Sequence, residues 1–258
     1  MYHHISALRG EIMGGRKRKT TSWKRVLVDI CTQNDFLEAD AIMQVANRKE
    51  LIANLQHVFA WARSTNAPVV SCIESHRPTE PINGWPLHCI DGTQGQRKPD
   101  YSLLEPRILI EADNSLALPP DLMQNYQQIL FRKRARDIFG NPKTDRFLTQ
   151  LQSEDFILFG VGLERAVRGL ALGLLSRHKH VTVVIDACGV WSPGDSDLVI
   201  RQLTAKGVTL ITTEVLTAPP PVKPSTPRRI VYHGRVLNRH HPASTHAEAP
   251  TRRRVGNS

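Results

Sequence analysis

Four short apolar runs in this chain end in polar residues whose types can do chemistry. After VLVDI (26–30) come Cys31, Thr32, Gln33, Asn34, Asp35 and Phe36, and after PVVSCI (68–73) come Glu74, Ser75 and His76. QILFRK (128–133) ends on Lys133, and DFILFG (155–160) leads into Val161, Gly162, Leu163, Glu164, Arg165 and Ala166. In an open parallel sheet, ligands bind beyond the carboxyl ends of the strands, so these residues are placed to meet one. Glu74 and His76 lie two apart and on an extended chain project to one side, as chelation of a cation requires. A thiol is a useful nucleophile only as the thiolate, which a nearby lysine stabilises. The four cysteines, Cys31, Cys72, Cys89 and Cys188, form no C-x-x-C pair. Neither a disulfide framework nor a zinc knuckle is therefore expected, and in a reducing compartment each is by default a small buried apolar residue.

The elements that must position these groups follow from periodicity. Between about residue 25 and residue 217, short β-branched runs alternate with longer segments of helical period, the pattern of a parallel sheet wrapped by helices. The expected fold is α/β, a three-layer α/β/α sandwich with a mostly parallel six-stranded sheet. Besides the four runs above, HVTVVID (180–186) and VTLITT (208–213) supply strands. Leu51, Leu55, Val58 and Phe59 mark one amphipathic helix, and Val167, Leu170, Ala171, Leu174 and Leu175 mark another. The prolines of APPPVKPSTP, from Ala218 on, lack amide donors and end the domain.

The net charge of +10 is concentrated at the ends. Residues 1–25 carry seven Lys and Arg against Glu11, a net +6, and residues 218–258 carry eight against Glu248, a net +7, which leaves −3 for the middle. The expected organisation is thus a basic disordered segment over 1–24, a folded domain over 25–217 and a Pro/Arg-rich disordered tail over 218–258. A weak, salt-sensitive contact of these tails with a polyanion such as nucleic acid is the sharper alternative to plain solvation. No apolar run is long enough to span a bilayer, and the N-terminus has no apolar segment before a small-residue cleavage site. A cytoplasmic protein with no membrane partner is expected.

Taken in order, the polar stretches resemble the landmarks of the isochorismatase and nicotinamidase family of cysteine hydrolases, across essentially the whole domain. VDICTQNDF is similar to that family's D-x-Q-x-D-F, and WPLHCIDGTQG (85–95) to its W-P-x-H-C-x-x-G-T-x-G segment, the most specific match. KRARDIFGNP (133–142) resembles the lysine segment, and GVGLERAVRGLALGLL (160–175) the nucleophile segment, G-V-A-T-[DE]-x-C-V. The resemblance implies a Rossmann-like sheet and cleavage of a small amide or enol ether by a Cys-Asp-Lys triad. It places Lys133 at the lysine position, Cys31 at the aspartate position and Ala166 at the nucleophile position. Two of the three catalytic positions thus depart from the pattern, and a methyl can neither ionise nor attack a carbonyl.

Asp29, two residues before Cys31, would face the same way roughly 7 Å deeper, too deep to replace the lost acid without a bulge. Asp35, Phe36, Gly162 and Arg165 fall where the family's cleft receives its ligand, and the family's non-proline cis peptide maps to the Gly160-Val161-Gly162 stretch. Arg165 could salt-bridge near Glu164, pair with Asp35 or fill the empty site. The nicotinamidase branch also holds a divalent metal, zinc, iron or manganese, through residues matching Glu74, His76 and His88; isochorismatases proper use none. Three functions follow. The chain is a family member that lost the hydrolytic reaction and binds a small-molecule ligand in the cleft or oligomerises. Otherwise it is an atypical hydrolase using Cys31 with Lys133, or a water activated on a metal at Glu74, His76 and His88. Polyanion binding through the tails stands apart from both.

Overall fold

A computed structural model describes residues 23–80, 84–113, 115–135 and 137–219. Seven strands form one sheet: β1 (Trp23–Ile30), β2 (Val69–Glu74), β3 (Arg107–Ile110), β4 (Gln128–Lys133), β5 (Ser153–Val161), β6 (Val181–Gly189) and β7 (Thr209–Ile211). The helices are α1 (Asn34–Leu37), α2 (Arg48–Thr65), α3 (Leu122–Asn125), α4 (Pro142–Gln150), α5 (Arg168–Leu175), α6 (Pro193–Ala205) and α7 (Thr213–Thr217).

All pairings are parallel and the order is β3-β4-β2-β1-β5-β6-β7. From β1 the chain passes to β2, then to the edge strand β3 and back between the two as β4, before it crosses to the opposite side of β1 with β5. The winding direction reverses between β1 and β5, which opens a crevice at the carboxyl ends of the central strands. Central position explains composition: Val26 to Ile30 of β1 and Phe156 to Val161 of β5 are buried on both faces, so β5 reads as an unbroken apolar run and β1 as one interrupted only by Asp29.

Helix α2 turns Leu51, Leu55, Val58, Phe59 and Ala62 inward, at the spacing the sequence predicts, and ends at Asn66 in the left-handed conformation (φ 52°). Burial of each larger apolar side chain in that stripe contributes roughly 1.5–3 kcal/mol. Helix α6 begins with Pro193, and the Ser192 hydroxyl accepts from the Asp195 amide.

The sheet has one strand more than expected. β3 is a four-residue edge strand, RILI, with only Ile110 buried, and it follows the Pro106 turn. Such a short, half-exposed run carries no alternation signal. β6 continues to Gly189 rather than stopping at Asp186, because the run survives one polar residue whose carboxylate accepts from the amide and hydroxyl of Thr213. The basic ends fall, apart from Trp23, Lys24, Ala218 and Pro219, outside the described residues. Among the described residues no helix is long and apolar enough to cross a membrane.

Candidate functional site

The floor of the crevice is built by strand register. Glu74 and Lys133 are direct partners at the ends of β2 and β4, so their side chains leave the sheet on the same face. Lys133 Nζ lies 3.0 Å from Glu74 Oε2, with Lys133 2% and Glu74 15% exposed. Burial disfavours both charges, but the pair stabilises each. Burial raises the Glu74 carboxyl, yet Lys133 and hydrogen bonds from His76 and His88 outweigh it and hold it well below the usual range. Burial likewise works against the Lys133 ammonium, but the ionised Glu74 carboxylate beside it favours the charged form, and the Lys133 pKa is raised.

Cys31 and Asp29 do not share a face as the extended-strand reading requires. β1 ends at Ile30, and Cys31 turns out of it with φ 50°. Its sulfur packs 3.8 Å from that of Cys72. Asp29 instead accepts from Ser71 Oγ at 2.7 Å, from Thr32 Oγ1 at 2.5 Å and from Lys98 Nζ at 2.7 Å. Ser71 and Cys72 are consecutive on β2 and point to opposite faces, so Asp29 lies on the far side of the sheet from Cys31. It is wholly buried in a satisfied ion pair with Lys98, a partner the sequence reading missed, and does not line the cleft. Cys31 is 1% exposed, and burial followed by contact with Cys72 pushes its thiol well up. A relocated Cys31 nucleophile would therefore be neutral and enclosed.

Glu74, His76 and His88 do come together: one donor atom from each lies within 4.8 Å of the others. His76 Nε2 is 3.1 Å and His88 Nε2 3.6 Å from the same oxygen, Glu74 Oε1. His88 Nδ1 sits 2.8 Å from the Pro86 carbonyl, which can only accept, so that nitrogen carries the hydrogen. In neutral His88 the Nε2 lone pair then points at a carboxylate oxygen, and only a proton or a cation between them resolves that conflict. Consistent with this, burial lowers the His88 pKa but the hydrogen bonds to Glu74 and Pro86 outweigh it and raise it. His76 Nδ1 is buried without a hydrogen-bond partner. One carboxylate, two imidazoles and a carbonyl that fixes one tautomer form a donor set that fits a divalent ion.

The segment carrying His88 is held by Asp35, which accepts from the Cys89 amide at 2.5 Å while its own amide donates to the Gly95 carbonyl. A Cβ at Gly95 would overlap the Asp35 carboxylate, which explains the last glycine of the W-P-L-H-C-I-D-G-T-Q-G segment. Asp35 thus positions the histidine loop instead of lining the cleft. Replacing Gly95 by Ala should cost about 1–3 kcal/mol, because the carboxylate must leave the Cys89 amide. Urea denaturation measures it; a change below about 0.5 kcal/mol would show that the loop accommodates the methyl.

Segments far apart in the sequence, around Trp85, Gly162 and Trp191, close the mouth. The peptide bond between Val161 and Gly162 is cis. The chain then makes a wide π-type turn over Leu163–Val167 before α5. Glu164 Oε1 accepts from the amides of Trp191 and Ser192 and the hydroxyl of Ser196, so it ties this turn to the segment that leads into α6. Arg165 places its guanidinium carbon 3.8 Å over the Trp85 ring centroid. This stack on an aromatic at the mouth is a contact that none of the alternatives drawn from the sequence for Arg165 included. Ala166 is half-buried and lines the cleft.

The resulting cavity, about 320 Å³, brings Phe36, Gly162, Arg165, Ala166, Lys133, Glu74, His76 and His88 to one surface. It also includes Trp85 and Trp191, which the sequence reading did not assign. Trp85 stood inside the best-matching motif. Trp191 follows β6 directly, and the strand-end rule would have found it had that strand been followed to Gly189.

The isochorismatase domain model matches residues 26–215. Among solved structures, a pyrazinamidase of Pyrococcus horikoshii in complex with zinc is similar at 18% identity and a TM-score of 0.57, over 73% of this chain and 99% of that one. An N-carbamoylsarcosine amidase of Thermoplasma acidophilum is similar at 22% identity and 0.56, over 74% and 97%. A ribonuclease of Caenorhabditis elegans shares the fold at 18% identity and 0.51, over 75% and 79%. No curated protein matches the chain at the same stringency. The shared sheet and the match of the domain model across most of the chain lead to one conclusion: this protein belongs to the isochorismatase family.

Proposed function

We propose that this chain uses the family's cleft to bind a small molecule and does not hydrolyse amides through a cysteine. One observation carries the reading. Ala166 lines the cleft at the position the family resemblance gives to the nucleophile, and a methyl has neither lone pair nor proton to use. No other thiol takes its place, since Cys31, Cys72, Cys89 and Cys188 are each at most 1% exposed. Lys133 and Glu74 remain as a charged pair at the floor, able to orient the polar end of a ligand and to hold a proton on Lys133 Nζ.

Glu74, His76 and His88 would hold a divalent ion such as zinc, iron or manganese, which when bound supplies Lewis-acid attraction for a ligand atom. Protein purified without chelators should carry roughly one equivalent of such a metal, and His88→Gln should lower that content. Metal analysis of both proteins checks this, and equal, negligible content in both would remove the metal from the account.

The test of the reading itself is ammonia release. Incubated with nicotinamide or benzamide, the native protein should release none above a buffer blank. Turnover would overturn the reading, and its loss on adding a chelator would assign the chemistry to the metal.

A further inference from the structure

We propose that Glu80 is a positioning residue for a divalent ion in the cleft: its carboxylate takes the Nδ1 hydrogen of His76 when Nε2 gives its lone pair to the ion. The inference rests on the preceding reading that Glu74, His76 and His88 hold such an ion.

Tautomers come first. His76 Nε2 lies 3.1 Å from Glu74 Oε1, and that oxygen belongs to a carboxylate ion-paired with Lys133, so it can only accept. The Nε2 atom therefore carries the hydrogen, and in the neutral imidazole Nδ1 is a lone pair. This nitrogen is buried without a hydrogen-bond partner. Facing it at 3.9 Å is Glu80 Oε2. Two acceptors opposed in this way stay too far apart for a hydrogen bond. When Nε2 turns its lone pair to a divalent ion, one hydrogen leaves Nε2 and one is taken up at Nδ1, so the imidazole stays neutral. Nδ1 is then a donor aimed at a carboxylate, and the same rearrangement satisfies the orphaned nitrogen.

The local backbone already places Glu80 for this. Its Oε2 accepts from the Arg77 amide at 3.0 Å, and its own amide donates to the Arg77 carbonyl at 3.0 Å. This reciprocal pair holds the carboxylate beside His76, and a carboxylate oxygen has room for a second hydrogen bond. The side chain is 30% exposed and lines the cavity, so it has freedom to close on Nδ1.

Charge points the same way. Glu74 already shares its charge with Lys133 at 3.0 Å, so a dication there needs a second carboxylate nearby, and Glu80 supplies one. The two imidazoles differ in this respect. His88 Nδ1 rests on the neutral Pro86 carbonyl at 2.8 Å, whereas His76 Nδ1 faces an anion. A carboxylate bonded to the far N–H fixes the tautomer of a ligating imidazole and makes it the more basic ligand.

The test is zinc titration of the full chain, first stripped with chelator and dialysed, in competition with a chromophoric zinc indicator in mildly alkaline buffer. Glu80→Ala should lower zinc affinity by about tenfold to a hundredfold. Glu80→Gln keeps an oxygen for the Arg77 amide and for Nδ1 but loses the charge, so its affinity should fall between the two. Urea unfolding of the stripped proteins should give one midpoint for all three; should Glu80→Ala prove less stable, Glu80→Gln carries the comparison. Proton–nitrogen correlation spectra of protein with nitrogen-labelled histidine should show the His76 hydrogen on Nε2 in stripped protein and on Nδ1 after zinc is added. A native chain that binds zinc no more tightly than the Glu80 variants, or zinc binding with the His76 hydrogen still on Nε2, would overturn the proposal and leave the metal reading standing. A native chain that binds no zinc would overturn both.

Discussion

Replacing Lys133 by Met should lower folding stability by about 3–5 kcal/mol, the cost of leaving a buried carboxylate without its cation. The side chain is 2% exposed and reaches Glu74 at 3.0 Å, so solvent cannot stand in for the lost ammonium. Adding Glu74→Gln should recover part of the loss, because a neutral amide at that site no longer demands a counter-charge. The pH dependence has a defined sign. The folded carboxyl of Glu74 lies well below its ordinary value of 4.5, so its stabilisation is complete above that value and is lost as pH falls through the folded one. Lys133 is raised above its ordinary 10.5, so its share is present below that pH and fades only as pH rises through the higher folded value. The Lys133→Met penalty should therefore be full in mildly alkaline solution, where His88 is neutral, and narrow towards acid as His88 and then Glu74 gain protons. Urea unfolding with chelator present reads all of this. A penalty under about 1 kcal/mol at pH 7 would mean that the pair behaves as a surface salt bridge.

Ala166→Cys should give this protein a single reactive thiol. The four native cysteines are enclosed, and burial pushes Cys31, Cys89 and Cys188 up in pKa. Cys72 is lowered, first by its contact with Cys31, but is 1% exposed. A sulfur at position 166 would instead face the cleft, ahead of α5 and on the same cavity surface as Lys133. Limiting iodoacetamide at neutral pH should add one carbamidomethyl group to this variant roughly a hundredfold faster than to the native chain. Peptide mapping should place the group at position 166. Native labelling at the same rate would show that one of the four buried thiols is accessible. With Cys31 still at the aspartate position, the variant should gain reactivity without gaining efficient amide turnover.

Much of this was legible in the sequence because a buried parallel sheet writes itself as apolar runs. β1, β2, β4 and β5 were found close to their observed ends, and the polar residues after them include Glu74, His76, Lys133 and Ala166, all of which line the cleft. What the sequence did not carry was local backbone conformation. The positive φ of Cys31 takes it off the strand, so an inference built on alternation put Asp29 on the wrong face. The role of Asp35 was likewise hidden, since its partners, the Cys89 amide and the Gly95 turn, lie more than fifty residues away. Lys98 sits in a loop without periodicity, and nothing marks it as the counter-ion of a buried aspartate.

The proposed separation of the family's fold from its chemistry turns on Ala166 at the nucleophile position and Cys31 at the aspartate position. The most direct test is mass spectrometry of native protein quenched in acid during incubation with excess nicotinamide or benzamide. The account predicts an unmodified intact mass at every time point, with no acyl group on any peptide. An acyl adduct mapped to residues 160–175 or to Cys31 would contradict it.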